Sequence, residues 1–135
     1  MDGYAFDRSW SRENERLTAV ERQLDPVSQA AVNQVGLAAG WRCWEAGAGR
    51  GSMARWLAGR VSPSGSVLAS DIDGGALAGL DRGNITVIRH DLERDGVPGG
   101  GFDLIHARLV LEHLRAPGAV VRKLASALRA GGWLI

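Results

Sequence analysis

Glu45 and three alternating glycines, Gly47, Gly49 and Gly51, lie together in "EAGAGRGSMARWLA" (45–58), and Asp71 and Asp91 close two later apolar runs. Glycine lets a main chain turn sharply and come into contact with a ligand, because no Cβ intervenes. The spacing is G-x-G-x-G, with Ser52 in the sixth position, so it departs from the G-x-G-x-x-G turn that seats a pyrophosphate on a helix N-terminus. No G-x-x-x-x-G-K-[ST] phosphate loop is present. Glu45, just before the glycines, would repel a pyrophosphate and attract an ammonium group. Asp71 follows Gly47 by 24 positions, where a carboxylate can accept hydrogen bonds from both hydroxyls of a ribose. Asp91 can accept from the exocyclic amine of an adenine, and Ile72 and Leu92 offer apolar faces to the purine. Any one of these acids alone reads as a solvated turn residue; three at successive strand ends fit a ligand with an ammonium, a ribose and an adenine, and Asp73, the neighbouring ribose candidate, reads rather as a cap for the helix after it.

The histidines and the cysteine carry less. His113, in "LEHL", lies on the helix expected after the fourth strand and is the candidate to touch substrate as a base. His106, in "FDLIHA", is expected to be structural and to point away from the ligand; His90 is expected on the opposite side of its strand from Asp91. No two histidines combine with Cys43 at metal-ligand spacing, so no metal site is expected. Cys43, between Trp residues, reads as an inert buried thiol. No G-x-S-x-G elbow or serine triad occurs.

These residues need a scaffold that presents strand ends side by side. The sequence predicts a helix from Ser9 or Ser11 to about Leu24, and a second from Asp25-Pro26 with Val27, Ala31 and Val35 on one face, stopped by Gly36. "WRCWEAG" reads as a buried strand, with Ser52 capping the next helix. "SVLASDID", "NITVIRHD" and "FDLIHA" read as further strands, and Ala76, Leu77 and Leu80 as a short helix. A helix from Pro117 carries Val120, Val121, Leu124, Ala127 and Leu128, after which "AGGWLI" turns through Gly131-Gly132 into a fifth strand. Strand and helix alternate, with connections too long for hairpins. The expected fold class is therefore α/β, a Rossmann-like doubly wound parallel sheet with helices on both faces. Tyr4, Phe6 and Trp10 form an aromatic N-terminal cluster; Trp10 is expected to pack, while Tyr4 and Arg16 stay open between packing and walling the ligand.

Bulk properties narrow the classes. Sixteen basic and fifteen acidic residues are mixed along 135 residues, which predicts no general attraction to nucleic acid. No apolar stretch approaches the ~20 residues that span a bilayer, so no membrane association is expected. The lone cysteine and the acidic, aromatic N-terminus suit a cytoplasmic location.

In the order "WRCWEAGAGRGSMARWLA", "VLASDID", "VIRHDLE", "FDLIHARLVLEHL" and "LRAGGWLI", the chain resembles the class I S-adenosylmethionine-dependent methyltransferases of the bacterial small-molecule type. The resemblance covers roughly 41–135 and implies S-adenosyl-L-methionine as cofactor and a small-molecule methyl acceptor. It places Glu45, Gly47, Ala48, Gly49 and Gly51 against the methionine end, Asp71 and Ile72 at the ribose and adenine, Asp91 and the Leu92 backbone at the adenine, and Ala107 and Arg108 by the methionyl moiety and transferable methyl. Trp44 stands where many relatives have a smaller aliphatic residue and is expected to pack in the core. Residues 1–40 are expected as a helical lid or flank on an incomplete core, 41–135, because relatives continue past the "GGW" turn through further strands. An apolar strand edge left open would invite a homodimer. Two other classes stay open: a non-catalytic S-adenosylmethionine-binding or interaction module, and a nucleotide-linked oxidoreductase, against which the G-x-G-x-G spacing and Glu45 both count.

Overall fold

The computed structural model describes residues 2–135, with side chains for 12–74 and 77–135; the expectations for Tyr4, Phe6 and Trp10 lie outside the described side chains. Five strands, β1 (Arg42–Ala46), β2 (Ser66–Asp71), β3 (Ile85–Arg89), β4 (Phe102–Ala107) and β5 (Leu128–Leu134), form one sheet in the order β3-β2-β1-β4-β5. Every pairing is parallel. Strand order reverses between β1 and β4, so a crevice opens beyond their carboxyl ends.

Side-chain alternation divides the core between the two faces. Cys43 and Leu104 point to one, with Val67, Ala69 and Ile85, and are covered by Val32 of α1 (Asp2–Gln34) and by Ala54, Leu57, Ala58 and Val61 of α2 (Ser52–Val61). Trp44 and Ile105 point to the other, with Phe102, under Val120 and Leu124 of α3 (Pro117–Ser126). Runs such as "RCWEA" are apolar on both sides because both faces are covered. Trp44 is fully buried, its indole N–H donating to Ser70 Oγ at 2.8 Å, with Phe102 and His90 rings each 5.7 Å away. That satisfies its one polar atom and makes it a core residue. Cys43 is also buried, and burial pushes its thiol up to about 12.

Several local expectations are corrected. The two N-terminal helices are one, α1, with Pro26 inside it. A proline in a helix interior costs about 3 kcal/mol, but contacts on both sides hold this one: Asp25 pairs with Arg108, and Ser28 and Val32 are buried. Ser52 does not cap α2; Gly51, at φ +87°, occupies the cap position and no side chain bonds there. The elements expected as helices at Ala76–Leu80 and around His113 are single 3-10 turns, Gly74–Leu77 and Leu111–His113. Gly131 and Gly132 lie inside β5, not before it, because Leu128 pairs with Phe102 while Trp133 already pairs with Leu104. A Cβ on Gly132 would meet the Phe102 carbonyl oxygen at 2.8 Å, so the bulge needs glycine there. Leu128 accordingly belongs to β5, and Val121 of α3 is 36% exposed.

Candidate functional site

The turn after β1 is shaped by glycine at two positions above all. Gly47 has φ +73°, and a Cβ there would lie 2.4 Å from Val110 Cγ2; Gly49 has φ +58° and faces open space. The turn is pinned to β2 by its own N–H groups. Gly47 and Ala48 both donate to the Ser70 carbonyl, at 2.9 and 2.8 Å, and Gly49 donates to Asp71 Oδ2 at 2.9 Å. These donors already serve protein acceptors, so the turn is not an anion cradle.

A cavity of about 720 Å³ opens over this turn, within the ~300–1,000 Å³ typical of small-molecule sites. Glu45, Gly47, Ala48, Gly49, Asp71, Ile72, Asp91, Leu92, Arg108 and His113 all line it. Gly51 and Ala107 do not: Gly51 sits against Leu80, and Ala107 packs with the core under α3. Ile72 is 62% exposed, an apolar side chain presented to the cavity without cover.

The three acids differ in how they are held. Asp71 also accepts from the Asp73 N–H at 3.0 Å through Oδ1. Asp91 closes the turn after β3, Oδ1 accepting from the N–H groups of Glu93 (2.9 Å) and Arg94 (3.2 Å). The Glu93 N–H in particular lowers the Asp91 carboxyl below its usual range. Each carboxylate oxygen can accept twice, so both retain acceptor capacity toward the cavity. Glu45 is only 3% exposed, and both its oxygens lie within reach of His106 Nδ1, at 2.9 and 2.7 Å. Burial raises the Glu45 carboxyl, and the His106 bond opposes that rise.

His106 does not line the cavity, as its strand's alternation predicts, yet it bonds directly to an acid that does. His90, expected on the side opposite Asp91, lines the same cavity, because β3 ends at Arg89 and strand alternation no longer holds there; its Nε2 donates to the Gly96 carbonyl at 2.8 Å. His113 sits at the rim, 74% exposed, 3.4 Å from a Glu112 carboxylate oxygen. Among the described residues no cluster of three metal-ligating side chains occurs.

Arg16, which the sequence left open between packing and walling the ligand, does wall the cavity, with neighbours on its helix. Arg16, Leu17, Val20 and Glu21 of α1 line the cavity. Two ties bring α1 there: Arg108 donates to Asp25 (2.8 Å) and to Ser28 Oγ (3.1 Å), and Arg50 donates to the Asn14 carbonyl (2.9 Å) and Thr18 Oγ1. The Arg108 guanidinium is thus engaged with α1. Leu109 and Val110 add a further apolar edge. Leu109 is held at φ +56°, a conformation that costs a leucine about 1–2 kcal/mol; a positive φ on leucine has no sequence signature.

The acceptor-rich cavity over a glycine turn at the sheet's switch point defines a nucleoside-binding α/β protein. Residues 8–135 match the family described as a methyltransferase domain, and the chain belongs to that family. Its fold is that of the class I S-adenosylmethionine-dependent methyltransferases. The chain is similar to an S-adenosylmethionine-dependent methyltransferase of Aquifex aeolicus (19% identity, TM-score 0.71), covering 89% of this chain and 69% of that one. It is similar to one of Mesorhizobium loti (28%, TM-score 0.67; 78% and 50%), and to a TehB-like one of Corynebacterium glutamicum (20%, TM-score 0.69; 90% and 70%). Among curated proteins no sequence matches.

Proposed function

We propose that this methyltransferase domain binds S-adenosyl-L-methionine in the cavity over the glycine turn and transfers its methyl to a small-molecule acceptor. The observation that carries the reading is the convergence of Glu45, Asp71 and Asp91, from three strand ends, on one cavity. The donor set fits the cofactor: its ammonium, ribose hydroxyls and adenine amine are donors and cations, and these walls present acceptors. Glu45 takes the ammonium, Asp71 the ribose, and Asp91 the adenine amine, with Ile72 and Leu92 against the purine. When bound, the cofactor supplies a sulfonium methyl that is already electrophilic, for SN2 displacement. The protein's own contribution is alignment and exclusion of water, by α1, Leu109 and Val110. His113, at the rim, is assigned to remove the acceptor's proton.

Residues 1–40 act in this reading as lid or flank to the core of 41–135. The near-neutral charge supports a partner that is not nucleic acid. Among the described residues no helix is long and apolar enough to cross a membrane, and we assign the chain to the cytoplasm. Among the same residues β5 pairs with β4 alone, and a homodimer through its free edge is the assembly proposed.

The test is calorimetric titration with S-adenosylhomocysteine of the wild-type chain and the Asp71→Ala variant. Binding that the variant loses supports the reading; a folded wild-type chain that binds nothing overturns it. Transfer of labelled methyl to small amines and hydroxyls, over a blank without acceptor, then tests turnover; cofactor binding without transfer selects the non-catalytic binding module instead.

A further inference from the structure

Glu45 and His106 stand directly opposite each other on adjacent parallel strands. Each is 3% exposed, and Nδ1 lies 2.9 and 2.7 Å from the two carboxylate oxygens. Two charged groups act on Glu45 in opposite directions, Arg108 favouring its ionised form and Asp25 opposing it. Arg108, after β4, and Asp25, on α1, bond to each other at 2.8 Å and offset one another. β2 presents Ala69 beside Glu45, and β5 runs past β4 with Leu134 and Ile135.

We propose that His106 is a positioning residue for the cofactor's amino-acid end: it fixes the Glu45 carboxylate, and the proton this pair takes up competes with the ligand's ammonium for that carboxylate. The inference rests on the cofactor reading above. With Nδ1–H donating to an ionised Glu45, the pair carries one negative charge and can hold a cation. One more proton, on the imidazole or on the carboxyl, makes the pair neutral and removes the attraction; the two sites titrate as a unit. Binding of an ammonium-bearing ligand therefore expels that proton to solvent, and affinity rises with pH until the pair is fully deprotonated. Linkage of one proton gives up to a tenfold change in affinity per pH unit.

The experiment compares S-adenosylhomocysteine, which carries the ammonium, with 5′-methylthioadenosine, which lacks the amino-acid end, by calorimetry across a range of pH from mildly acidic to mildly alkaline. Buffers of different ionisation enthalpy count the protons released. The expected result is that S-adenosylhomocysteine binds more weakly toward acid, with proton release, while 5′-methylthioadenosine binds with a flat profile. His106→Gln keeps an N–H donor toward Glu45 but cannot be protonated, and its S-adenosylhomocysteine profile is expected to flatten over the same range. The same profile for both ligands, or an unchanged profile in the variant, overturns the proposal and leaves the cofactor site standing. Failure of both ligands to bind at any pH overturns the cofactor site and this proposal with it. The two-ligand comparison uses wild-type protein, so it decides the matter even if the variant does not fold.

Discussion

Asp71 and Asp91, at the rim of the cavity, are held by backbone N–H groups, whereas Glu45, on its floor, is held by a side chain 61 positions away. The rim bonds are mostly local: Asp91 reaches Glu93 and Arg94, and Asp71 reaches Asp73. An aspartate at a strand end makes such bonds through its own short side chain. The floor exists only because β1 and β4 lie side by side in one register. The rim stays wet and needs no partner for its charge; the floor is dry, so its charge must be paired or neutralised. Two carboxylates at a rim are cheap to build, and a buried one carries consequences for stability and pH.

The sharpest way to break this contrast is at the turn between rim and floor. Gly47→Ala combines a positive φ with a Cβ 2.4 Å from Val110, and is expected to cost about 3 kcal/mol from strain and overpacking. Gly49→Ala meets open space and should cost about 1 kcal/mol, from its φ of +58° alone. Denaturant midpoints of the two variants measure the difference; equal losses would mean that Val110 moves aside freely.

Next comes the rim. Asp71→Ala removes acceptors for two hydroxyls and is expected to weaken S-adenosylhomocysteine by about 2 kcal/mol, near 30-fold, with a small change in stability. A large drop in thermal midpoint would show that its bond to Gly49 holds the turn itself.

Glu45→Gln tests the floor, with opposite signs for stability and binding. Burial raises the Glu45 carboxyl above its usual value. The folded state therefore favours the protonated form, and stability is lost as pH rises from the unfolded value through the raised one. Gln keeps an acceptor for His106 and carries no charge, so the variant should lose that decline and melt higher than wild type at neutral pH, by about 1 kcal/mol, while binding S-adenosylhomocysteine more weakly. Thermal midpoints across a pH series check it; a lower neutral midpoint would mean that the ionised pair is itself stabilising.

The smallest effect is expected at Asp91→Asn. The amide oxygen can still accept from the Glu93 N–H, so stability should stay close to that of the wild type, and affinity should fall only a few-fold. Because the native carboxyl is lowered, its slight contribution is present above the unfolded value and fades as pH falls. Calorimetry with S-adenosylhomocysteine reads the affinity, and a loss as large as that of Asp71→Ala would erase the distinction between the two rim acids.

The strands, their parallel arrangement and the residues at their ends were legible in the sequence because each rests on a local signal. Apolar runs such as "RCWEA" and "FDLIHA" bury on both faces, and glycines mark where the chain turns. Ten of the residues assigned to the site from sequence do line the cavity, while Gly51 and Ala107 face protein instead. Only tertiary structure decided the rest. Pro26 reads locally as a helix start, but packing of Ser28 and Val32 and the Asp25–Arg108 pair hold it inside one continuous helix. That helix then supplies the cavity wall that the sequence left open at Arg16. His106 reads as a lone core histidine until strand register sets it against Glu45. A pairing across 61 positions is fixed by how strands align, and alignment is settled by the burial of whole faces at once, which no short stretch of sequence records.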